Sequence, residues 1–340
     1  MPPDAPAVTA LRRIAFLLEL AQEPTYRVRA FRRAADVVSA LTADELERRI
    51  SEGSLRQLPG IGAVTALAII EAQRGEAPVY LRRLESTEGR SVADCAAALR
   101  AALRGDCHMH SDWSDGGSSV LEMAEAARSL GHEYVALTDH SPRLTVARGL
   151  SAERLRHQLE EVQRLNVRLA PFRILTGIEV DINEDGSLDQ EDGLLESLDI
   201  VVASVHSKLR MPREQMTQRM MTAVANPRTN VLGHCTGRIV VGRGRPESEF
   251  DGEAVFEACR RFDVAVEINS RPERLDPPKR LLRLAVEAGC RFAIDTDAHA
   301  PEQLNWQMRG CERAAACGVA ADAVIDTLSA TNLVIWADRA

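Results

Sequence analysis

Lysine is almost absent from this chain of 340 residues: among 42 basic side chains only Lys208 and Lys279 are lysines. A lysine nucleophile for covalent catalysis is therefore excluded from the first 207 residues. Long apolar runs are missing as well. Ala15–Leu18 and Ile200–Val205 fall far short of the ~20 residues a membrane span needs. The opening Met-Pro-Pro-Asp-Ala-Pro has neither a basic stretch nor an apolar one, so no secretory signal and a cytoplasmic location are expected. No C-x-x-C pair occurs among the seven cysteines (95, 107, 235, 259, 290, 311 and 317), which predicts scattered reduced thiols, mostly buried filler. Cys235 stands apart because it follows His234, and it is expected to neighbour a site rather than ligate in it.

Hydrophobic content of 45% and charged content of 27% are ordinary for a globular chain, and the length suits two domains or a barrel with a small module. Charge is uneven. Residues 1–104 carry a net +2, and the remainder carries −10. The acidic part would repel nucleic acid unless bound cations and local arginines reverse the sign at a site.

Residues 1–85 read as helices only. Leu11, Ile14, Leu17, Leu18 and Ala21 share one helical face, and Glu23-Pro24 predicts a turn. Helical spacing resumes over Tyr26–Leu41, with Arg27, Arg29, Arg32 and Arg33 crowding its start, and Thr42 is a candidate cap for a third helix over Ala43–Glu52. Leu58-Pro59-Gly60-Ile61-Gly62 then joins two helices through a tight turn. Its glycines permit backbone forms a Cβ would block and leave amide groups bare at a helix start, which favours a phosphate oxygen. The string reads as a helix-hairpin-helix motif gripping nucleic-acid backbone through Gly60, Gly62 and Thr65, with Arg27 and Arg29 nearby. Alternatively it only links two packed helices.

Residues 86–104 read as a linker and an Ala-rich helix. From 105 to 340 the pattern becomes β-branched runs alternating with amphipathic helices. The expected strands are Tyr134–Leu137, Ile174–Val180, Ile200–Val205, Asn230–Leu232, Val264–Ile268 and Phe292–Ile294. Helices are expected over Ser119–Leu130, Ala152–Leu165, Arg213–Ala225, Glu253–Phe262 and Lys279–Ala288. This alternation predicts an α/β fold, a parallel β/α barrel.

Six of the eight histidines lie in short blocks at the C-terminal ends of those strands, where barrel sites assemble. The blocks hold His108 and His110, Asp115, His140, Glu179 with Asp181, His206, His234, and Asp297 with His299. Imidazole and carboxylate are preferred ligands of first-row divalent metals, and nine such groups suit a cluster of two or three ions. In a strand, residues i and i+2 face the same way, so His108 and His110 are expected to reach one ion, and Asp297 and His299 to repeat that arrangement. Any one of these histidines alone reads equally as a hydrogen-bonded core residue; six together argue for metal. His132 and His157 lack this context and are expected on the surface.

These blocks resemble the PHP (polymerase and histidinol phosphatase) family. Thr138–Leu150, Asn226-Pro227 with Gly233–Arg238, and Glu267–Ser270 with Arg274–Asp276 are similar to the PHP domain of bacterial family X DNA polymerases. Residues 10–85, notably Tyr26–Ala34, resemble the helical domain of the same enzymes. The resemblance implies a distorted (β/α)7 TIM-like barrel behind an N-terminal all-α helix-hairpin-helix domain, and three divalent ions, Zn, Mn or Fe, alone or mixed. Carried over by position, one ion takes His108, His110, Glu179 and Asp297. A second shares Glu179 and adds His206 and His234, and a third takes Asp115, His140 and His299. Glu179, Asp297 and His110 are the residues expected to matter most for catalysis. Two departures matter: only ~20 residues separate the two parts, without a polymerase palm signature, and the helical part lacks the lysine that a deoxyribose-phosphate lyase requires.

Phosphoester hydrolysis is the expected chemistry. Arg148, Lys208, Arg238 and Arg274 are candidates to hold phosphate oxygens, or else ordinary surface charges. The favoured substrate is a DNA 3′ end, through 3′–5′ exonuclease or 3′-phosphatase activity. A small-molecule phosphatase of the histidinol-phosphate type and a non-catalytic DNA-end-binding module are the alternatives.

Overall fold

The computed structural model describes residues 5–20, 25–82 and 92–338, and the chain forms two compact units, Met1–Cys95 and Ala96–Ala340. The turn expected at Glu23-Pro24 and the linker expected at 86–91 lie outside the described residues. Among the described residues no helix is long and apolar enough to cross a membrane.

The first unit holds helices α1 (Pro6–Leu20), α2 (Thr25–Ser39), α3 (Ala43–Ser51) and α4 (Ala63–Gln73). Leu11, Ile14 and Leu18 of α1 share a core with Val28, Phe31 and Val38 of α2 and with Ala66 and Ile69 of α4. Thr42 caps α3, its Oγ1 accepting from the Glu45 amide at 3.3 Å. Ahead of α4, Gly60 adopts φ 97°, and a Cβ there would come within 2.9 Å of the Arg33 side chain. The left-handed backbone favours glycine here, and a Cβ would also displace the Arg33 side chain. The Gly62 amide is not bare as expected: it donates to Thr65 Oγ1 at 2.9 Å, and that hydroxyl donates back to the Gly62 carbonyl at 3.1 Å. Thr65 is buried, and its hydroxyl stitches the turn together. Arg29 is exposed on α2. A short helical turn at 79–82 has no periodic signature; stacking of Tyr80 on Phe31, with 5.3 Å between ring centres, holds it.

Helix α5 (Val92–Ala102) ends in the second unit, where its Ala96 and Leu99, with Leu103 just beyond it, join the barrel's outer core. Six parallel strands follow in sheet order: β1 (Tyr134–Leu137), β2 (Arg173–Asp181), β3 (Ile200–Ser204), β4 (Val231–Leu232), β5 (Ala265–Glu267) and β6 (Phe292–Ala293). The nine-residue β2 pairs with β1 through its first half and with β3 through its second. Met109 bridges Leu137 on one side and Ala298 on the other, so its segment joins the first strand to the chain beyond the last. That makes seven members in a closed α/β ring.

Alternation along the strands sorts side chains into two layers. Tyr134, Ala136, Ile200, Val202, Val231, Ala265 and Ala293 face one core with Leu333 and Ala337 from the last helix (Ala330–Ala337). Val201, Ala203, Leu232, Val266 and Phe292 face the surrounding helices. The last helix sits at the strand beginnings, where Asn230 donates to the Ala337 carbonyl at 3.0 Å and Trp336 to Asp263 at 2.8 Å. The strand ends are thereby left for chemistry. The expected barrel helices appear at Val120–Ser129, Ala152–Leu169, Arg213–Val224, Gly252–Arg261 and Lys279–Glu287. Ser119 and Glu122 form a capping box on the first of these.

His132 departs from expectation. It is buried, and burial beside Arg100 lowers its imidazole to about 4. His157 is exposed, as expected.

Candidate metal centre

Glu179, two residues before the end of β2 and buried, is the hub. Its Oε1 lies 2.9 Å from His234 Nε2 and 3.2 Å from His206 Nε2. Its Oε2 lies 2.8 Å from His140 Nδ1, 3.5 Å from His108 Nε2 and 3.7 Å from His110 Nε2. One carboxylate thus faces five imidazoles, each carried by the segment just beyond or beside a strand end.

All nine expected ligands converge. His110, Asp115, His140 and His299 have ligand atoms within 4.8 Å of one another, as do His108, His110 and Glu179, and also His140, Glu179 and His206. Asp297 Oδ1 reaches His110 Nε2 at 3.4 Å. The groupings differ in detail from the expected sets, because His110 sits with the Asp115–His140–His299 group and His140 also reaches Glu179. The i, i+2 argument holds for His108 and His110, whose Nε2 atoms are 3.2 Å apart. Asp297 Oδ1 and His299 Nδ1 also meet, at 3.6 Å, but not through the strand rule. β6 ends at Ala293, and Asp297 lies in a loop at φ 52°, a strained form for a non-glycine residue.

Electrostatics favour a cation here. Burial opposes charge on Glu179, yet the imidazoles of His206, His108 and His140 hold its carboxyl well below the usual range. Burial likewise works against His206, but Glu179 and Asp181 push it up to about 9. His110 goes the other way: burial, with the rings of His299 and His140 centred 4.2 and 4.4 Å away, keeps it well below an ordinary histidine. Glu179 Oε2, His110 Nδ1 and both ring nitrogens of His206 are buried without a hydrogen-bond partner. Buried polar atoms in that state are costly unless something pairs with them, and divalent cations fit this donor set.

A supporting layer orients the ligands. Glu267 at the end of β5 accepts from His108 Nδ1 at 2.6 Å and from the His234 amide, which turns His108 Nε2 towards Glu179. Asn269 donates to Asp297 at 3.1 Å and to Glu267 at 3.3 Å. Asp181 accepts from the His206 amide at 3.0 Å. Asp139 is no ligand; it gathers Ser111, Ser114 and Gln158 beneath the site. Arg219, buried under the loops after β2 and β3, donates to the carbonyls of Ile182 and Ser207, the neighbours of Asp181 and His206. Sequence reasoning passed over Glu267 and Asn269 as ligand supports, although their i, i+2 spacing at a strand end was the available signal. Cys235 faces Asp276, and burial raises its thiol well above the ordinary value, so it stays protonated.

The centre opens into a cavity of about 390 Å³, lined on its polar side by Asp115, His140, His206, Arg271, Arg274, Asp297 and His299. Of the four expected phosphate-holding residues only Arg274 lines it; its Nε donates to Asp297 Oδ2 at 3.0 Å, and its Nη1 has no partner. Arg148 and Lys208 are exposed and do not line it. Arg238 is committed elsewhere, donating to the carbonyls of Arg274 and Leu275, so it braces the Arg274 loop instead of meeting substrate. Arg271, which no pattern in the sequence marks, takes a place in the lining.

Comparison with known proteins agrees with this architecture. The PHP domain signature matches residues 106–271, and a helix-hairpin-helix domain signature matches residues 2–76. A probable phosphatase of Thermoanaerobacter sp. (strain X514) is 30% identical over 205 residues, covering 57% of this chain and 78% of that protein. The chain belongs to the PHP domain family. As a PHP protein it is a metal-dependent phosphoester hydrolase, with a helix-hairpin-helix domain ahead of the barrel. The DNA polymerase/3′-5′ exonuclease PolX of Bacillus subtilis (strain 168) is 45% identical over 203 residues, 60% of this chain. The match spans only 35% of that polymerase. A crystal structure of histidinol phosphate phosphatase from Lactococcus lactis, with zinc, L-histidinol and phosphate, superposes with a TM-score of 0.47 at 19% identity, covering 62% of this chain and 93% of that one.

Proposed function

We propose that this PHP protein hydrolyses phosphoester bonds at DNA 3′ ends, as a 3′–5′ exonuclease or a 3′-phosphatase, with the helix-hairpin-helix domain holding the DNA. The observation that carries the reading is the complete nine-residue cluster around Glu179, supported by the match to a polymerase–exonuclease over 60% of the chain and by the helix-hairpin-helix signature over residues 2–76. Gly60 and Gly62 shape the turn that would present backbone amides to a phosphate, and Arg27 and Arg29 on α2 add positive charge.

In the barrel, His108, His110, Glu179 and Asp297 would hold one divalent ion, Glu179, His206 and His234 a second, and Asp115, His140 and His299 a third, drawn from Zn, Mn and Fe. Such ions, when bound, polarise phosphoryl oxygen and make water a better nucleophile. The protein's own groups do the positioning. Glu267 fixes the His108 tautomer, Asp181 steadies His206, and Arg274 offers a free N–H to a phosphate oxygen beside Asp297.

The test is turnover by metal-reconstituted protein on 3′-recessed DNA, on 3′-phosphate DNA ends and on a panel of phosphomonoesters. Release of nucleotides or phosphate from DNA ends is the expected outcome. Turnover of small monoesters alone, with no DNA retention at low salt, would replace this reading with a small-molecule phosphatase. DNA retention without turnover under any metal would leave a binding module.

A further inference from the structure

The cavity over the metal centre has a second chemical character. Leu144, Val146, Ala147 and Ile239 line it alongside the imidazoles and arginines. Val146 is 89% exposed, and the adjoining Val240 and Val241 are each 48% exposed.

These side chains ride on loops that are pinned in place. Leu144 accepts from the amides of Ala147 at 3.1 Å and Gly149 at 3.2 Å, and the Leu150 amide donates to the His140 carbonyl at 2.7 Å. A Cβ at Gly149 would collide with the Ser141 carbonyl, so the loop lies tight against the ligand-bearing segment. Arg154 secures the turn further, donating to the Gly149 carbonyl at 3.2 Å. On the second loop, Ile239 and Arg245 exchange backbone bonds of 3.0 and 2.8 Å, and the Val240 amide donates to the Glu273 carbonyl at 2.7 Å. A valine held almost wholly in water beside a charged cavity contributes little to folding, since it buries little surface in the free protein. It gains only when an apolar body covers it.

We propose that Leu144, Val146 and Ile239 form an apolar seat for the nucleobase adjoining the scissile phosphoester, making the site selective for nucleoside esters over small aliphatic ones. The inference rests on the reading of the substrate as a nucleotide ester. Arg271 and Arg274 meet the phosphate's charge, and the aliphatic side chains meet the face of the base. A cavity of about 390 Å³ is of the size that takes small organic ligands. Aliphatic contact makes no use of base edges, so the seat accepts all four bases, as a nuclease acting on successive residues requires.

The test compares kcat/KM within two matched pairs: thymidine 3′-phosphate against glycerol 3-phosphate, and thymidine 3′-(p-nitrophenyl phosphate) against methyl p-nitrophenyl phosphate. Wild-type protein favours the thymidine member. In Val146→Ser that preference falls roughly three- to tenfold, mainly through KM, and Val146→Leu retains it. Metal content measured on each variant confirms that the centre is intact. If a thymidine ester is turned over and the preference does not move in Val146→Ser, the seat is wrong and the DNA-end reading stands. If no thymidine ester is turned over while aliphatic esters are, the DNA-end reading falls and the seat with it.

Discussion

Glu179→Gln lowers phosphoester hydrolysis by at least about a thousandfold while the fold survives, the largest effect expected of any single substitution in the barrel. The reason is geometric. Its two oxygens face separate sets of imidazoles, with His206 and His234 on Oε1 and His108, His110 and His140 on Oε2. An amide keeps the shape but presents one neutral oxygen and one N–H donor, so it would not hold a cation on each side as a carboxylate would. The same change removes the one carboxylate that faces five of the rings at once. Steady-state turnover, read with elemental analysis of the variant, checks this: activity and metal content fall together. The DNA binding proposed for the helix-hairpin-helix domain is expected to persist, because its turn is built from Gly60, Gly62 and Thr65 within a separate unit. Activity within tenfold of wild type would show that Glu179 is not shared between ions.

Stripping the metals with a chelator abolishes turnover and lowers the thermal midpoint by on the order of 5–10 °C, since ions bound only to the folded chain stabilise it by mass action. Reloading then expels protons. In the metal-free centre His206 titrates at about 9 and His108 is raised well above its ordinary value; burial resists both shifts, and the carboxylates facing each ring overcome it. Both rings therefore carry protons at neutral pH, and a metal must displace them before it can use the ring nitrogens. Competition strengthens as pH falls below about 9 and fades above it, so apparent affinity rises by up to about tenfold per unit of pH for each proton displaced. Calorimetric titration in two buffers of different ionisation heat measures the number released. One to two protons per chain are expected near pH 7.5, and none would mean that these rings do not ligate.

The fold was legible because the sequence alternates periodicities cleanly. Tyr134–Leu137 and Lys279–Glu287 begin where their β-branched and amphipathic patterns begin, and Ser119 with Glu122 announces the first barrel helix. The ligands were legible for a related reason. A histidine or acid at the end of a strand has little to do in a core, and seven such blocks mark one rim of a barrel. What escaped notice depends on backbone geometry with no periodic trace. Asp297 enters through a left-handed residue beyond β6, so the strand rule that paired it with His299 does not apply. Arg238 and Arg274 look alike as letters near a histidine block, but one is consumed by loop carbonyls and the other borders the cavity. Thr65 reads as a ligand contact, and only the structure shows its hydroxyl clasping its own turn. Composition around His132 gave no hint of its burial, which follows from where its helix end packs.

Metal analysis of protein purified without any chelator tests the whole account most directly. Two to three equivalents of divalent transition metal per chain are expected, falling in Glu179→Gln, because every other assignment assumes that the rings and acids around Glu179 enclose cations. Protein that is folded by circular dichroism yet carries less than a tenth of an equivalent, and takes up none on addition of Zn²⁺ or Mn²⁺, would contradict it.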